Sequence, residues 1–583
     1  MGIKKKFSAV VAAGLSLAMM VSLAACGGED KTASTADDGS LMTVDVYDDL
    51  ANYQGIQKGW FAKLVKDKFN IKLNIIAPNV AGGSTVFDTR AASGDLGDIV
   101  ITGAGSGRLS KLIKAKLIDD MTPYLDGMDN IKKYSGASDS LNELAGQKSG
   151  VWALPNSVSS KSPTEPSEGN EPTFGPYIRW DLYKEIGYPE IKDMDDFLQV
   201  LKKMQDKARA DSGTKDIYAL SLFKDWDGNM MNNAKQPTTY YGYDELGFVL
   251  AKADGSDFQS ITDDNGQYEK ALEFFNKADQ MGLVDPESST QNYDTMFSKY
   301  QNGKVLFSFW SYLGPQAYNT TDNKAAGKGF MIAPLQDMQI FSYGATPNGG
   351  STIIALGSKA QNKQRLVKFI DWLYSSEGTY AMQGSVEGMN YEIKDGKPVL
   401  TDLGKKLRND TSTTVPEEYG GGSYKDGVSA LNFVTELGTD IDENTGEPYS
   451  SDMWSSVISE FNNSALEQDW SSHMGGAKTS MEYLKANNKL LVAPGSSYIQ
   501  PDEDSQITTL RGSIKTEIVN SSWKAVFAKN DSEFKKIFKS MQDTVNGLGI
   551  DQVLEVDMKN AKDQQAAREK VTKEYADRET SAE

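Results

Sequence analysis

The chain has 583 residues and is acidic, with 81 Asp and Glu against 61 Lys and Arg and a formal net charge of −20 at pH 7. An acidic surface repels phosphate backbones and anionic head groups, which excludes nucleic acid as a partner and keeps the folded body off a membrane surface. At roughly 100 to 200 residues per domain, this length predicts more than one globular unit.

The first residues have the pattern of an export signal. Met1 to Phe7 is short and basic, and Ser8 to Ala25 is almost wholly apolar and small, as in a secretory signal peptide. The apolar run is shorter than the roughly 20 residues that a permanent spanning helix needs. We therefore expect residues 1–25 to be removed, which would take Lys4, Lys5 and Lys6 away and lower the net charge from −20 to −23.

The end of this signal carries a lipidation motif. Leu23-Ala24-Ala25-Cys26-Gly27 resembles the lipobox of bacterial lipoproteins, and Cys26 is the only cysteine in the chain. The resemblance implies acylation of Cys26 and a lipid anchor in the cell membrane, facing the extracellular side, with a Gram-positive envelope expected. Residues 26–40 are small and polar, which predicts a flexible tether before the fold begins near Leu41.

The folded part opens with alternating strands and helices. Apolar periodicity predicts strands over 41–48, 71–76 and 97–102, with helices over 55–69 and 85–92 between them. This β-α-β-α-β order is typical of a parallel α/β architecture.

The rest of the chain continues the mixture of helices and strands. We predict helices over 180–186, 194–208, 268–281, 295–302 and 363–375, strands over 303–310 and 352–356, and a mostly helical region after 450. Residues 156–176 are rich in Pro, Gly and Ser and predict a surface loop near a domain crossing. No internal repeat is present at solenoid or propeller periods.

Six segments together resemble one protein family in their order and spacing: Gly97 to Val100, Trp152 to Pro155, Ile178 to Tyr188, Asn302 to Trp310, Gly349 to Leu356 and Asp371 to Gly378. They resemble the extracellular solute-binding proteins, family 1, of ABC importers. The resemblance implies an α/β, two-lobe periplasmic-binding-protein-like fold (type II), with mixed sheets flanked by helices and a ligand cleft between the lobes. It also implies a monomer that closes on a carbohydrate, expected to be an oligosaccharide, and delivers it to permease subunits.

The same resemblance divides the chain between two lobes. We expect the first lobe at 41–155 with about 345–430, and the second at 156–344 with about 431–583. Closure of such lobes is a hinge motion, driven by a ligand that contacts both.

Sugars have flat apolar faces edged by hydroxyls, so aromatic rings beside carboxylates and amides are candidate ligand residues. Trp310 ends a predicted strand and matches an aromatic position that stacks on sugar in maltodextrin-binding relatives, although an ordinary core tryptophan is the alternative. Trp226 lies between Asp225 and Asp227 in a predicted loop. Carboxylates that flank an indole in a loop are suited to recognise hydroxyls.

Further candidates lie at strand ends and crossings. Asn52 and Tyr53 follow the first strand, where loops form clefts in open α/β sheets. Arg179 and Trp180 begin a helix after a crossing, with capping and packing as the alternative. The remaining candidates, on weaker grounds, are Tyr312, Asn348, Glu387 and Tyr391.

The sequence predicts no cofactor and leaves a structural calcium ion open. Asp225-x-Asp227-x-Asn229 begins like an EF-hand loop, but Met230 replaces the turn glycine and Gln236 the bidentate glutamate. Asp440-x-Asp442-x-Asn444 fails in the same way. Zinc is excluded because one histidine and one lipidated cysteine cannot supply the usual ligands.

We predict no enzymatic activity and no catalytic residues. A polysaccharide-active enzyme would need paired carboxylates, and no motif marks such a pair. Serine–histidine chemistry would depend on His473 alone. A binding protein for a non-sugar solute and a surface sensor for glycans remain the alternatives, because they could use the same fold.

Overall fold

A computed structural model gives the structure of residues 37–83 and 85–582. Residues 41–582 form one compact unit. Residues 37–40 have no regular secondary structure. The signal peptide, Cys26 and most of the tether lie outside the described residues, so the predictions made for them stay predictions.

The compact unit begins with alternating strands and helices, as predicted. The elements are β1 (Met42–Asp48), β2 (Gly55–Ile56), α1 (Gly59–Phe69), β3 (Ile71–Ile76), α2 (Thr85–Ser93), β4 (Ile99–Gly103), α3 (Arg108–Lys114), β5 (Ile118–Asp119), a 3₁₀ turn (Thr122–Tyr124), α4 (Asp129–Lys133), α5 (Ser135–Ala145) and β6 (Leu154–Pro155).

The middle of the chain follows a long irregular segment that starts after β6. Its elements are β7 (Phe174–Arg179), α6 (Trp180–Glu185), α7 (Met194–Ser212), α8 (Asn232–Thr239), β8 (Tyr243–Leu246), β9 (Val249–Lys252), β10 (Phe258–Ser260), α9 (Gln267–Gln280), α10 (Tyr293–Gln301), β11 (Phe307–Trp310), α11 (Gly314–Tyr318), α12 (Thr321–Ala325), β12 (Phe330–Ile332) and β13 (Ile340–Tyr343).

The last part is largely helical after residue 450, as predicted. It contains β14 (Thr352–Gly357), α13 (Lys363–Leu373), α14 (Ser376–Met382), β15 (Tyr391–Lys394), β16 (Lys397–Leu400), α15 (Asp402–Asn409), 3₁₀ turns (Glu417–Tyr419, Lys425–Gly427, Ser451–Met453), α16 (Ser455–Phe461), α17 (Ala465–His473), α18 (Ser480–Ala486), β17 (Leu490–Ala493), α19 (Ser505–Val526), α20 (Asp531–Leu548) and α21 (Ile550–Ala582).

The first lobe is built on a mixed sheet with the strand order β2-β3-β1-β4-β14-β5, and β6 also pairs with β14. β1 runs parallel to β3 and β4, whereas β14 is antiparallel to β4. Buried side chains of α1 and α13 cover one face, and those of α3 and α5 cover the other. Along each strand the side chains are either alternately or all buried, because helices cover both faces of the sheet.

The second lobe is built around the antiparallel sheet β11-β7-β12. One large core joins this sheet to the helices of the middle region and to α17, α19 and α20 from the end of the chain. α7 shows why such helices form here. The Asp193 carboxylate caps its first turn, a stripe of apolar residues is buried, and Gly213 ends it at φ 70°.

Three segments cross between the two lobes. The first follows β6, the second lies between β13 and β14, and the third is the stretch that ends at α17 and is bridged to the first crossing where Val158 pairs with Glu436. The division at the third crossing differs from the expected one. Leu431 and Phe433 are buried in the core of the first lobe, and Tyr449 and Trp454 pack against aromatic rings of that lobe.

This difference has a simple physical cause. Tyr380 and Tyr391 leave an aromatic surface on the first lobe, and the Trp454 ring lies 6.1 Å and 5.3 Å from their ring centroids. Residues 431–461 therefore bury their apolar side chains on the first lobe before the chain returns to the second at α17. No helix in the described part of the chain combines the length and apolar character that a bilayer crossing requires.

Candidate ligand-binding cleft

The crossing segments leave the first lobe at the edge where β1 and β4 end. Pro155 of β6 and Thr102 of β4 both pair with Ile353 of β14. Asn156 follows β6, and its backbone N–H donates to the carbonyl of Thr352 at 2.8 Å. In open α/β sheets, ligands bind outside the carboxyl ends of the strands. This edge is therefore the side of the first lobe where a ligand is expected.

The second lobe presents a matching edge. Trp310, at the end of β11, lies opposite Phe174, the first residue of β7, where the chain enters from the first lobe. Tyr218 bridges in parallel to Val305, so the segment after Tyr218 runs alongside β11 and ends at the same edge. The loop at 224–229 follows directly, which brings Trp226 to the end of β11.

Four aromatic residues at this edge form what we call the aromatic platform: Trp226, Tyr293, Trp310 and Tyr312. The ring centroids of Trp226 and Tyr293 are stacked at 5.0 Å, and those of Trp310 and Tyr312 at 6.0 Å. Trp226 and Trp310 meet edge to face at 5.6 Å. Trp226 is 40% exposed and Tyr312 43%, but Trp310 is only 2% exposed. Trp226 and Tyr312 therefore present ring surface to solvent, and the buried Trp310 packs beneath them.

The two carboxylates beside Trp226 have different roles. Asp225 is exposed and accepts the backbone N–H of Tyr293 at 2.8 Å. Asp227 accepts the backbone N–H of Asn232 at 2.9 Å and the indole N–H of Trp523 at 2.7 Å, and burial raises its pKa. Asp225 is thus placed to receive a ligand hydroxyl, whereas Asp227 anchors the loop to α19.

The loop after β1 lies on the edge of the first lobe. Asp48 accepts the backbone N–H groups of Leu50 and Ala51, both at 3.0 Å, and burial raises its pKa to about 7. Asn52 is exposed, and Tyr53 is 37% exposed with its hydroxyl donating to the carbonyl of Ile56 at 2.6 Å. The loop is held from within and presents these two side chains outward.

A cavity of about 510 Å³ lies between the lobes, and Ser311, the neighbour of Tyr312, lines it. Residues from both lobes and from the crossings contribute to its wall, among them Asn170, Glu171, Tyr177, Asn319, Gln383, Gly438 and Thr439. The buried hydroxyl of Thr439 has no hydrogen-bond partner within the described residues. Burial raises the pKa of Glu171 to about 7. Hydroxyl, amide and carboxyl groups thus surround this space.

The charged groups around this cavity are largely paired with one another. Lys324 forms an ion pair with Glu467, and Arg408 forms one with Asp452. Such pairs leave amides and hydroxyls as the groups available for a neutral polar ligand.

Comparison with known proteins identifies the family. The model of the family described as bacterial extracellular solute-binding protein matches residues 47–380, which is more than half of the chain. The chain belongs to the bacterial extracellular solute-binding proteins. Members of this family are binding proteins and not enzymes, and the predicted family is confirmed.

Individual relatives are distant. Lipoprotein LipO of Bacillus subtilis (strain 168) is 22% identical over 337 residues, which cover 55% of this chain and 62% of LipO. The alignment thus spans less than two thirds of that relative.

Solved structures confirm the two-lobe fold. An EF-hand mutant of the S. pneumoniae ABC-transporter substrate-binding protein FusA, in complex with fructo-nystose, aligns with a TM-score of 0.56 at 13% identity, over 90% of this chain and 100% of FusA. A solute-binding protein from Bifidobacterium longum infantis, described as HMO binding and ABC-transporter associated, aligns with a TM-score of 0.58 at 14% identity, over 90% and 99% of the two chains.

Two predicted ligand residues of this solute-binding protein are held by contacts within the second lobe. Arg179 ends β7, five residues from Phe174 and hence roughly 17 Å away along the strand. Its guanidinium donates to the carboxylate of Asp181 at 2.8 and 2.6 Å. Trp180 is 1% exposed and donates its indole N–H to Asp469 at 2.8 Å. Both residues therefore have the capping and packing roles that the sequence analysis gave as the alternative to ligand binding.

Asn348, Glu387 and Tyr391 lie in other surroundings. Asn348 is on the second crossing, and its side-chain oxygen accepts from Arg578 at 3.2 Å. Glu387 and Tyr391 line a cavity of about 770 Å³ on the first lobe.

The structure adds residues that the sequence analysis missed. Tyr293 joins the platform, and Glu171, Ser311, Gln383 and Thr439 line the cavity between the lobes. They come from five separate segments, so no linear motif connects them. The available signals were the breaker-rich stretch that contains Glu171 and the adjacency of Ser311 to Trp310.

No group of three or more His, Cys, Asp or Glu side chains within residues 37–83 and 85–582 is arranged to hold a metal ion. In the EF-hand-like loop, both oxygens of Asp227 already accept hydrogen bonds. Asn229 donates to Glu245 at 3.2 Å. This loop is organised by contacts within the protein.

Proposed function

We propose that this solute-binding protein captures an oligosaccharide outside the cell and delivers it to the permease of an ABC importer. The observation that carries the proposal is the aromatic platform, in which Trp226 and Tyr312 present exposed rings. A polar cavity between the lobes accompanies it, and Ser311, the sequence neighbour of Tyr312, lines that cavity. Apolar ring surface beside hydroxyl and amide groups is the combination that sugars require.

The two halves of the cleft would act in sequence. A sugar ring stacks on Trp226 or Tyr312, and Asp225 accepts one of its hydroxyls. Closure then brings the first lobe, with Asn52 and Tyr53, against the bound ligand. A ligand that contacts both lobes stabilises the closed state by its differential affinity for that state. The permease would then recognise the closed form.

Two structural neighbours are described with carbohydrate ligands. FusA was solved with fructo-nystose, and the Bifidobacterium protein is described as HMO binding. At 13% and 14% identity these likenesses show the fold alone. The choice of ligand class therefore depends on the platform and the cavity of this chain.

The proposal also covers how the protein is attached to the membrane and whether it changes its ligand. We propose that acyl chains on Cys26 hold the protein on the outer side of the cell membrane, as dual acylation provides stable attachment. We propose no turnover of the ligand and no cofactor, with calcium tested directly in the experiment below. The acting form would be a monomer.

A thermal-shift screen tests the function. Residues 41–583, which contain both lobes and their cores, are melted with neutral and acidic oligosaccharides, peptides and polyols, each with and without calcium. A ligand at 100 times its Kd stabilises the folded state by about 2.7 kcal/mol, so one glycan class should raise the melting temperature. If peptides or polyols raise it and no glycan does, the carbohydrate assignment is wrong.

A further inference from the structure

The C-terminal helix α21 is long enough to reach across the molecule. It runs from Ile550 to Ala582, 33 residues, and at 1.5 Å per residue it spans about 50 Å. That is the diameter of a domain or more. Its contacts change along its length, from the second lobe to the crossings and the first lobe.

The first half of α21 is fixed to the second lobe. Asp557 is 1% exposed and accepts the backbone N–H of Phe248 at 2.7 Å. It also accepts two N–H groups of Arg511 on α19, at 2.9 and 2.6 Å. Val553 and Ala561, on the same half, are buried. This half therefore moves with the second lobe.

The second half of α21 touches two crossing segments. The hydroxyl of Tyr575 donates to the carbonyl of Ser160, on the first crossing, at 2.9 Å. The guanidinium of Arg578 donates to the side-chain oxygen of Asn348, on the second crossing, at 3.2 Å. A helix fixed to one lobe is thus hydrogen-bonded to the segments about which the lobes rotate.

The same half also reaches the first lobe at α5. Lys570 forms an ion pair with Glu143 at 2.9 Å. Arg578 lies over Gly136, where an added Cβ would be 2.8 Å from its guanidinium nitrogen. Elsewhere between α21 and α5 there is a cavity of about 600 Å³. These contacts are polar and partly exposed, so they can break without disrupting a core.

We propose that α21 is a strap that holds the cleft open through Lys570, Tyr575 and Arg578. With these contacts made, the rings of Trp226 and Tyr312 are 40% and 43% exposed, so the engaged strap belongs to an arrangement in which the platform is open. Rotation of the first lobe moves α5 and the crossings relative to a helix fixed on the other lobe. Closure therefore requires these contacts to break or lengthen.

The strap lowers the measured ligand affinity. When only part of the population is able to close, the apparent Kd equals the intrinsic Kd divided by that fraction. Loss of several partly exposed polar contacts should increase the affinity roughly three- to tenfold. This readout rests on the proposed function, whereas the distribution of lobe positions without ligand does not.

The test compares two sets of substitutions in residues 41–583. The strap variant combines Lys570→Ala, Tyr575→Phe and Arg578→Ala. The control combines Lys559→Ala and Lys539→Ala, which remove exposed ion pairs within single helices, Lys559–Asp563 on α21 and Lys539–Asp543 on α20. Because Cys26 is the only cysteine in the chain, dyes can be placed on Lys72→Cys in the first lobe and Lys270→Cys in the second.

Single-molecule energy transfer between these dyes reports the lobe positions. The strap variant should populate the closed position without any ligand, and the control should match the parent. An unchanged distribution, or one shifted to a more open position, would overturn the proposal. If the strap variant is unfolded by circular dichroism, Glu143→Lys replaces it, and Glu143→Lys with Lys570→Glu should restore the parent distribution.

The ligand measurement separates the two proposals. If no glycan binds the parent, the carbohydrate assignment fails and energy transfer still decides the strap. If a glycan binds and the strap variant binds it no more tightly than the control does, the strap proposal fails and the assignment stands.

Discussion

Two tryptophans at the edge of the second lobe show that burial gives the members of one aromatic cluster different roles. Both Trp226 and Trp310 are ligand candidates from sequence, Trp226 because it lies between two carboxylates in a predicted loop and Trp310 because it ends a predicted strand. The structure exposes Trp226 and buries Trp310. Residue type and position along the chain could not separate them, since burial depends on Tyr312 and Phe223, which pack around Trp310 in three dimensions.

Substitution of each tryptophan should therefore have a different effect. Trp226→Ala removes an exposed ring, so we expect glycan affinity to fall tenfold or more, as for an interface hot spot of roughly 2 kcal/mol, with a small change in stability. Trp310→Ala leaves a cavity and should cost about 3 to 5 kcal/mol of unfolding free energy. Calorimetric titration and urea unfolding measure the two. Equal losses of stability would contradict this division.

Glu436, on the third crossing, should make stability depend on pH. It is 2% exposed, and burial raises its pKa to about 7. Between its ordinary pKa and 7, the folded state binds more protons than the unfolded state, so the free energy of unfolding falls as pH rises through this window and levels off above it.

Glu436→Gln should remove the part of this dependence that Glu436 contributes. The amide stays neutral, so from pH 5 to pH 8 the variant should gain on the order of 2 kcal/mol relative to the parent. Urea unfolding at the two pH values measures the difference. Parallel changes in the parent and the variant would show that other groups cause the dependence.

At the scale of elements, local pattern predicted most of the fold. The strand at 71–76 is confirmed residue for residue, and the helices at 194–212 and 363–373 begin where predicted. Apolar periodicity and capping residues are properties of short segments, so a linear reading detects them. The strands β8, β9 and β10 were missed, because they are short and partly polar, pair with one another, and pack against α8 and against α21, which is distant in sequence.

The anchoring of the 224–229 loop to α19 also depended on tertiary structure. Trp523 is almost 300 positions from Asp227, yet its indole N–H holds that carboxylate. Trp523→Phe keeps the ring and removes the donor, which leaves a partly buried carboxylate without its partner at a cost of about 1 to 3 kcal/mol. We expect the loop to loosen and glycan affinity to fall several-fold.

A matched control for this prediction exists in the same lobe. Trp180 also donates its indole N–H to a carboxylate, that of Asp469, at 2.8 Å, but at the far end of β7. Trp180→Phe should cost similar stability and leave glycan affinity unchanged. If both variants lose affinity alike, the effect of Trp523→Phe is a general loss of stability and not a loosened loop.

At the scale of the whole molecule, the family resemblance predicted two lobes and the structure shows them. It placed residues after about 430 in the second lobe alone, whereas the structure shares them between the lobes. Residues 431–461 pack on the first lobe and α21 contacts both, because aromatic and charged partners far away in sequence decide where each segment is buried.

Attachment of the whole molecule to a membrane should depend on one atom, the Cys26 sulfur. Cys26→Ser removes the thiol that would be acylated. In a bacterium that exports the chain, we expect the parent in the membrane fraction and the variant released into the medium. Immunoblots of the two fractions measure this. Retention of the variant with the membrane would exclude acylation of Cys26 as the anchor.

The position of β14 sets the order in which the molecule can fold. β14 separates β4 from β5 in the sheet, yet it is synthesised roughly 250 residues after β4, or about 12 to 50 seconds later at bacterial rates. Until then the sheet lacks a central strand, and α13, which covers one of its faces, does not exist. An emerging chain thus remains without a complete core for most of its synthesis. For the export that we propose, this late strand would give the polypeptide time to be threaded unfolded through a secretion pore.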